Sequence, residues 1–183
     1  MRLLYIIILL LFPMKTYCPF TYHLFDYLKI DECINNIELN IFLDELGKQE
    51  TGDTLIHDVW HIVNNINCAG RWQLSSIARK DIGYKGTLKQ FLNSPKIQRE
   101  CVVKLLKKNK YYFQYYCKNY KKYLGKKIHG ITITYSGLLA ASHLGGVGSV
   151  KKFLLTAYNA TDGNQSVKDY LIKFQNFNLE NSI

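Results

Sequence analysis

The sequence lacks the long apolar run of a membrane-spanning helix. Its apolar stretch Leu3–Phe12 has ten residues, whereas a bilayer core needs about 20. The 183 residues contain no internal repeat and no cysteine or histidine spacing typical of a zinc site. The glycine-rich stretch Gly145–Ser149 lacks the Lys-Ser/Thr pair of a phosphate-binding loop and follows no strand pattern. These absences argue against a membrane span, a repeat array, a zinc domain and a P-loop nucleotide-binding protein.

The N-terminus has the pattern of a secretory signal peptide. Met1-Arg2 supplies a positive start, and Pro13 ends an apolar run whose helical length, about 15 Å, is half of a bilayer core. No small-x-small cleavage site follows, so a buried N-terminal helix or an uncleaved anchor stays open. We predict a secreted, periplasmic or envelope protein with a signal peptide over 1–18, an N-terminal extension over 19–36 and a folded domain over 37–179.

Positive charge is concentrated in the middle of the chain. Residues Arg71 to Lys127 contain 16 Lys and Arg against two acids, a net charge of +14, whereas the rest has 8 basic and 12 acidic residues, a net charge of −4. A basic middle predicts an anionic partner, which nucleic acid, an anionic membrane or an acidic wall polymer could provide. Export favours the last two.

Five cysteines allow two readings. If Cys18 leaves with the signal peptide or stays apart, Cys33, Cys68, Cys101 and Cys117 can form two disulfides in an oxidising compartment, with three possible pairings. Buried free thiols are an equally good interpretation of the same residues.

Helical patterns follow one another along the chain, and strand signals are almost absent. Apolar residues recur at helical spacing over Ile37–Gln49, and Thr51-Gly52 is a stop signal. Further helices are predicted over Leu74–Asp81, after Thr87, from Ser94-Pro95, within Lys110–Leu124, from near Ser136 to Gly145-Gly146, over Val150–Tyr158 and over Val167–Phe174. We read Ile131–Thr134 as an extended approach to a helix. Nearly half of the residues are apolar (48%), which is enough for the core of one mainly helical domain.

Glu50 is the candidate catalytic residue. Cleavage of a glycosidic bond needs a carboxylic acid that carries a proton near neutral pH, and burial beside apolar or aromatic groups favours that form. Glu50 lies at a predicted helix end, with Trp60 and Trp72 nearby in sequence. By itself this pattern describes an ordinary solvated glutamate better than a catalytic one, because isolated glutamates are common on protein surfaces.

Six stretches spread over residues 37–179 match the motif pattern of one enzyme superfamily. Glu50-Thr51-Gly52 has the glutamate followed by small or polar residues, and Gly70–Gln73 has a Gly-x-aromatic-Gln order. The others are Val63-Asn64, Phe91–Gln98 (Phe-Leu-x-x-Pro-x-x-Gln), Thr134–Gly146 (Thr-x-Ser-Gly-Leu-Leu-Ala-Ala-x-His-Leu-Gly-Gly) and Ser166–Phe174 (Ser-Val-x-x-Tyr-x-x-Lys-Phe). In these features the chain resembles the lytic transglycosylase and goose-type lysozyme superfamily, and especially a bacterial and phage transglycosylase-like group.

The resemblance implies a mainly α, lysozyme-like fold (α+β with minimal strand), a single domain of short helices around a cleft. It implies an exported enzyme that cleaves the β-1,4 bond between N-acetylmuramic acid and N-acetylglucosamine in peptidoglycan glycan strands. Glu50 would act as acid and then base, and Gln73, Arg71, Trp72 and His143 would contact the substrate. We expect a monomer with no metal, no cofactor, no nucleic-acid partner and no membrane span once the signal is removed.

Some of these residues have structural alternatives. Gln73 could satisfy loop backbone, Trp72 could pack in the core, and a histidine on a small-residue helix, such as His143, is more often packed than catalytic. The 20 positions from Glu50 to Gly70 exceed the spacing expected for the group. Asp53 and Asp58 are therefore reserve candidates for the acid.

The absence of an obvious second carboxylate favours a lytic transglycosylase over a hydrolase, because hydrolysis usually needs two carboxyls. Two alternatives stay open. The first is a catalytically inactive peptidoglycan-binding module of the same fold. The second is a cationic membrane- or nucleic-acid-binding protein, which the Lys- and Tyr-rich stretch Lys107–Lys127 would suit, although an amphipathic helix with a tyrosine core face explains that stretch more simply.

Overall fold

The computed structural model describes residues 36–52 and 58–183. Asp53, the predicted signal peptide, nearly all of the predicted N-terminal extension, and Cys18 and Cys33 lie outside these ranges. The compact unit that contains the described residues is Asn35–Ile183. Its helices are α1 (residues 36–51), α2 (Ser76–Asp81), α3 (Leu88–Leu92), α4 (Pro95–Tyr116), α5 (Tyr135–Thr156) and α6 (Val167–Lys173), with a 3₁₀ turn at Tyr120–Tyr123.

Local sequence explains where these helices begin. The side chains of Thr87, Ser94 and Ser166 each accept a hydrogen bond from a backbone N–H in the first turn of α3, α4 and α6. Capping boxes with Gln90 and Asp169 complete the starts of α3 and α6. The predicted starts of these three helices are confirmed. The predicted start of α5 near Ser136 is also confirmed, since the helix begins at Tyr135 with Thr134 as its cap.

Two predicted helices are one. The helical pattern beginning at Pro95 continues through the tyrosine-rich segment to Tyr116, so α4 has 22 residues. The predicted stop at Gly145-Gly146 is confirmed as a break inside the span of α5, where Gly146 has the non-helical angles φ 72° and ψ 163°. Because these angles are open to glycine and strained for other residues, α5 consists of two helical segments that meet at a kink at Gly146.

Strand structure is limited to short hairpins in the described ranges. Strand β1 (Lys127–Ile128) pairs antiparallel with β2 (Ile131–Thr132), and β3 (Thr161–Asp162) pairs with β4 (Gln165–Ser166). His129 and Gly130 both have positive φ in the β1–β2 turn, as a two-residue hairpin requires. The extended segment predicted before α5 is therefore the second strand of a hairpin. Isolated antiparallel bridges also join Ala69 to Val63 and to Leu74.

The core surrounds α5. This helix packs against α4 on one side and α6 on the other, and its residues from Tyr135 to Ser142 are all buried. Phe42, on α1, has no exposed surface and packs edge-on to Phe174 and Phe177. The described residues thus form a mainly helical domain with few short strands. Within them, no helix is long and apolar enough to cross a bilayer.

Cys68, Cys101 and Cys117 are free thiols. Burial raises the pKa of each of them, which favours the uncharged thiol. For these three residues the free-thiol alternative describes the structure.

Candidate functional site

Glu50 lies in the last turn of α1, and its side chain is 14% exposed. Gly52, with φ 82°, follows the helix and donates its N–H to the carbonyl of Lys48. The stop signal of the sequence thus places Glu50 where the helix ends and the chain turns away. The carboxyl group is enclosed by protein on most sides and is not a solvated surface glutamate.

His143 connects Glu50 with the Gly70–Gln73 strip. Its Nε2 lies 2.8 Å from the carbonyl oxygen of Trp72 and 3.6 Å from Oε1 of Glu50. A carbonyl can only accept, so Nε2 carries the hydrogen and donates it to Trp72. Nδ1 is buried without a hydrogen-bond partner. The histidine side chain, 4% exposed, is therefore packed and hydrogen-bonded, and it places Glu50 beside the strip.

Tyr170, on α6, holds the Glu50 carboxyl. Its hydroxyl donates to Oε1 at 2.6 Å, across 120 positions of sequence, and the tyrosine is 1% exposed. Burial raises the pKa of Tyr170, and the charge and hydrogen bond of Glu50 act in the same direction, so the phenol keeps its proton. Among the described residues, no hydrogen bond engages Oε2 of Glu50. One oxygen of the carboxyl is thus positioned by Tyr170.

Thr51 makes a further link between the end of α1 and the Gly70–Gln73 strip. Its hydroxyl donates to the carbonyl of Gly47 one turn earlier and lies 3.0 Å from the carbonyl of Arg71. The end of α1 is therefore joined to the strip from two sides, through Thr51 to Arg71 and through His143 to Trp72.

Gln98, on α4, holds the Gly70–Gln73 strip in place through hydrogen bonds of its side-chain amide. This side chain has no exposed surface; its Oε1 accepts the backbone N–H of Arg71 at 2.9 Å, and its Nε2 reaches the carbonyl of Trp60 at 2.9 Å. Nε2 also contacts the carbonyls of Phe91 and Leu92 at the end of α3. Gly70 has φ 72°, and a Cβ there would lie 2.2 Å from Oε1 of Gln98. Glycine is therefore required at position 70 for the strip to reach this amide.

Arg71 and Trp72 are buried, although the family resemblance predicted that both would contact the substrate. The Arg71 side chain is 3% exposed, and its Nη2 lies 2.7 Å from Oδ1 of Asp44. The indole of Trp72 donates to the carbonyl of Leu43 at 2.7 Å and is 4% exposed. Both side chains have protein partners and almost no surface for a ligand. The structure supports a structural role for both, because they bind the strip to α1.

Gln73 is half-buried and has φ 45°, a conformation unusual for a residue other than glycine. Both its backbone N–H, at 3.0 Å, and its side-chain Nε2, at 2.8 Å, donate to the carbonyl of Gly70. The amide closes the turn that it belongs to, which matches the structural alternative. Its contact with a sugar stays a prediction.

Of the two reserve acids, only Asp58 lies within the described residues. Asp53 lies outside the described residues. Asp58 is exposed, and its carboxylate contacts Nδ1 of His61 at 2.6 Å and the N–H of Trp60 at 3.1 Å. The hydrogen bond with His61 holds the pKa of Asp58 below its ordinary value. Such a group is a poor proton donor near neutral pH, so Glu50 is the better candidate.

A further carboxyl lies near the site. Asp162, exposed on β3, exerts its charge on both Tyr170 and Cys68, as Glu50 also does. Within the two described ranges, no group of three or more His, Cys, Asp or Glu side chains is arranged to hold a metal ion.

Two pockets open on the described surface. One, of about 180 Å³, is lined by Tyr170 and by Gln49, Asp169, Ile172 and Lys173. Another, of about 300 Å³, lies at Leu124, Tyr135 and residues 175–180.

Sequence reasoning overlooked Tyr170 and Gln98 as site residues. Both stand in stretches that carried the family resemblance, Tyr170 in Ser166–Phe174 and Gln98 in Phe91–Gln98. A tyrosine and a glutamine that recur in such motifs, at positions on the buried face of a helix, signal buried hydrogen bonding. Their partners lie 120 and 27 positions away, which the motifs could not reveal.

No protein-family model, curated protein or solved structure gives a significant match to this chain.

Proposed function

We propose that this protein is an exported, lysozyme-like enzyme that cleaves the β-1,4 bond between N-acetylmuramic acid and N-acetylglucosamine, as a lytic transglycosylase. The observation that carries the proposal is the position of Glu50. Its side chain is 14% exposed, and its carboxyl is held by Tyr170, bordered by His143 and lies beside a strip that hydrogen bonds tie to the core. A positioned, largely buried carboxyl, one of whose oxygens has no hydrogen-bond partner among the described residues, suits a general acid.

The order of structural elements supports a lysozyme-like fold. Helix α1 ends next to the candidate acid, Glu50. A small segment with β-bridges follows over residues 62–74, and the remaining helices come after it in the chain. The proposed relation to the lytic transglycosylase superfamily rests on the sequence motifs alone. Four of those motifs now have related places in the structure, since Glu50, the strip, His143 and Tyr170 come together.

The proposed reaction needs one carboxyl. Glu50 donates its proton to the glycosidic oxygen as the bond from C1 of the muramic residue breaks. The 6-hydroxyl of the same sugar then attacks C1, and Glu50 accepts the proton of that hydroxyl. The products are a 1,6-anhydro sugar end and a new free 4-hydroxyl, and the enzyme returns to its starting state. A hydrolase would need a second carboxyl for water, and Asp162, whose charge acts on Tyr170 together with that of Glu50, is a candidate for it.

The test compares Glu50→Gln with a matched control variant and the parent protein on isolated cell walls. The amide that this substitution introduces can still accept from Tyr170, so the fold is kept while the proton donor is lost. We expect release of soluble muropeptides to fall at least about a hundredfold. Glu45→Gln, on the same helix and paired with Lys48 on the surface, should leave release unchanged. Mass spectrometry of the products should show 1,6-anhydro ends.

Other results would redirect the assignment. Unchanged release by Glu50→Gln would remove Glu50 from the role of acid. Reducing ends, together with loss of activity in Asp162→Asn, would indicate a two-carboxyl hydrolase. Wall co-sedimentation without release by the parent protein would indicate a binding module, and salt-sensitive oligonucleotide binding without wall activity would indicate a nucleic-acid-binding protein.

A further inference from the structure

A long part of the chain contains no acidic residue. Between Glu100 and Asp162, residues 101–161 include 11 lysines, no arginine and no aspartate or glutamate. This span contains most of α4, the 3₁₀ turn, the β1–β2 hairpin and all of α5. Such an uninterrupted excess of one sign gives the corresponding surface a strongly positive potential.

The fold gathers a large share of these lysines at one end of the domain. Helices α4 and α5 pack against each other, and the charges of Lys122 and Lys151 both oppose the rise that burial causes in the pKa of Cys117, which follows the last residue of α4. His129 packs edge-on to Phe153 at 5.5 Å, which brings the β1–β2 turn to the same part of α5. We name this region the lysine-rich end; it comprises Lys118, Lys121, Lys122, Lys126, Lys127, Lys151 and Lys152, of which all but the half-buried Lys151 are exposed.

Exposed tyrosines border these lysines on the last turns of α4. Tyr111, Tyr115 and Tyr116 are 58%, 60% and 55% exposed. The rings of Tyr111 and Tyr115 stack at 6.3 Å, and Tyr115 meets Tyr116 edge-on at 4.9 Å. The predicted core face of this segment is present in Phe113 and Tyr120, which are buried, but the rings of Tyr111, Tyr115 and Tyr116 lie outside the core. Leu155, near the end of α5, adds an exposed apolar side chain.

Among the described residues, the two acids of other elements that lie near this region do not neutralise it. Asp81 pairs with Lys108, one turn before the tyrosines, and its carboxylate lies 2.7 Å from Nζ. Glu180 lies close enough to Tyr120 for its charge, after burial, to raise the pKa of that phenol. Two carboxylates beside seven lysines leave a net positive surface.

We propose that the lysine-rich end and its three tyrosines bind the surface of an anionic lipid bilayer. Lysine side chains are hydrated point charges that attract a diffuse layer of negative headgroups, and tyrosines settle at membrane–water interfaces. Planar recognition of nucleic-acid phosphates and bases favours arginine, which is absent from residues 101–161. The tyrosine faces are also partly occupied by one another, which leaves less room for stacked bases.

The test uses the full chain and variants that share its N-terminal apolar segment, so that this segment contributes equally to all. Binding is measured by co-sedimentation with phosphatidylcholine vesicles that contain about 30% phosphatidylglycerol, because surface lysines respond to anionic lipid. The charge variant changes Lys118, Lys121 and Lys122 to Gln, and the ring variant changes Tyr111, Tyr115 and Tyr116 to Gln. The matched control changes three exposed lysines of α3 and its surroundings, Lys85, Lys89 and Lys96, to Gln.

We expect the charge variant to bind more than tenfold more weakly, since each lysine near such a surface contributes about fivefold. The ring variant should lose several-fold, and the control, with Lys96 about 30 Å along α4 from Tyr116, should bind like the parent protein. Thermal midpoints of all variants should agree. Equal vesicle binding by parent, charge and ring variants would overturn the proposal. So would a charge-variant defect seen only with an oligonucleotide or with purified walls. Muropeptide release does not enter these outcomes, so this proposal and that of wall cleavage fail separately.

Discussion

Gln98 offers the sharpest test of how the site is held together. In Gln98→Leu the side chain keeps a similar size, but the N–H of Arg71 loses its acceptor and the carbonyl of Trp60 loses its donor. The carbonyl of Phe91 keeps a second partner, the N–H of Ser94 at 3.3 Å. The carbonyl of Leu92 also loses its donor. The N–H of Arg71 is buried and the carbonyls of Trp60 and Leu92 are partly buried, so the loss amounts to about two fully unsatisfied groups, at about 1–3 kcal/mol each. The free energy of unfolding should fall by about 2–6 kcal/mol.

Urea unfolding followed by circular dichroism measures this loss, and Tm should fall by about 5–15 °C for a domain of this size. The matched control is Gln114→Leu, on the exposed side of the same helix, which should change stability by less than about 0.5 kcal/mol. If Gln98→Leu unfolds within about 1 kcal/mol of the parent protein, the strip does not depend on this amide and the reasoning is refuted. Below its Tm, the variant should also release muropeptides more slowly, because the strip beside Glu50 is no longer fixed.

Three further predictions concern single groups. Tyr170→Phe should lower the free energy of unfolding by about 1–3 kcal/mol in urea titration and slow wall cleavage, because the Glu50 carboxyl loses its donor; unchanged activity would show that this hydrogen bond is not needed. Burial raises the pKa of Tyr170 and Tyr135 above the ordinary value of 10.0, so stability should be complete below about pH 10 and fall as the pH rises; absorbance at alkaline pH should show their ionisation only together with unfolding. Burial would raise the pKa of Asp44, but hydrogen bonds from Lys48 and Arg71 outweigh it, so stability should fall as the pH drops below about 4, and Asp44→Asn should lessen that fall.

Sequence reasoning predicted the helices well because their signals are local. A cap such as Ser166 acts on an N–H three residues away, and Pro95 starts a helix through its own φ, so a short window contains the whole cause. The same reasoning missed the pairing of β1 with β2. Two-residue strands have too little pattern to recognise, and what holds them is packing against the rest of the domain.

The candidate site was predicted only in part, for the same reason. The stop after Glu50 and the glycine of the strip can be read from neighbouring residues. The burial of Arg71 and Trp72 cannot be read in this way. A charged or aromatic residue next to a catalytic motif gives the same sequence pattern whether its side chain faces a ligand or the core. Their partners, Asp44 and the carbonyl of Leu43, belong to a helix that is remote in sequence.

The sequence by itself determined the helical class of the domain, the end of α1, the starts of α3, α4 and α6, and the strong positive charge of residues 71–127, because each depends on residues within a few positions or on composition alone. Only the tertiary structure decided that Glu50, His143 and Tyr170 meet, that Gln98 supports the strip, and that the lysines gather at one end. Those relations depend on packing between α1, α4, α5 and α6, in which hydrogen bonds and charges act across tens of residues of chain.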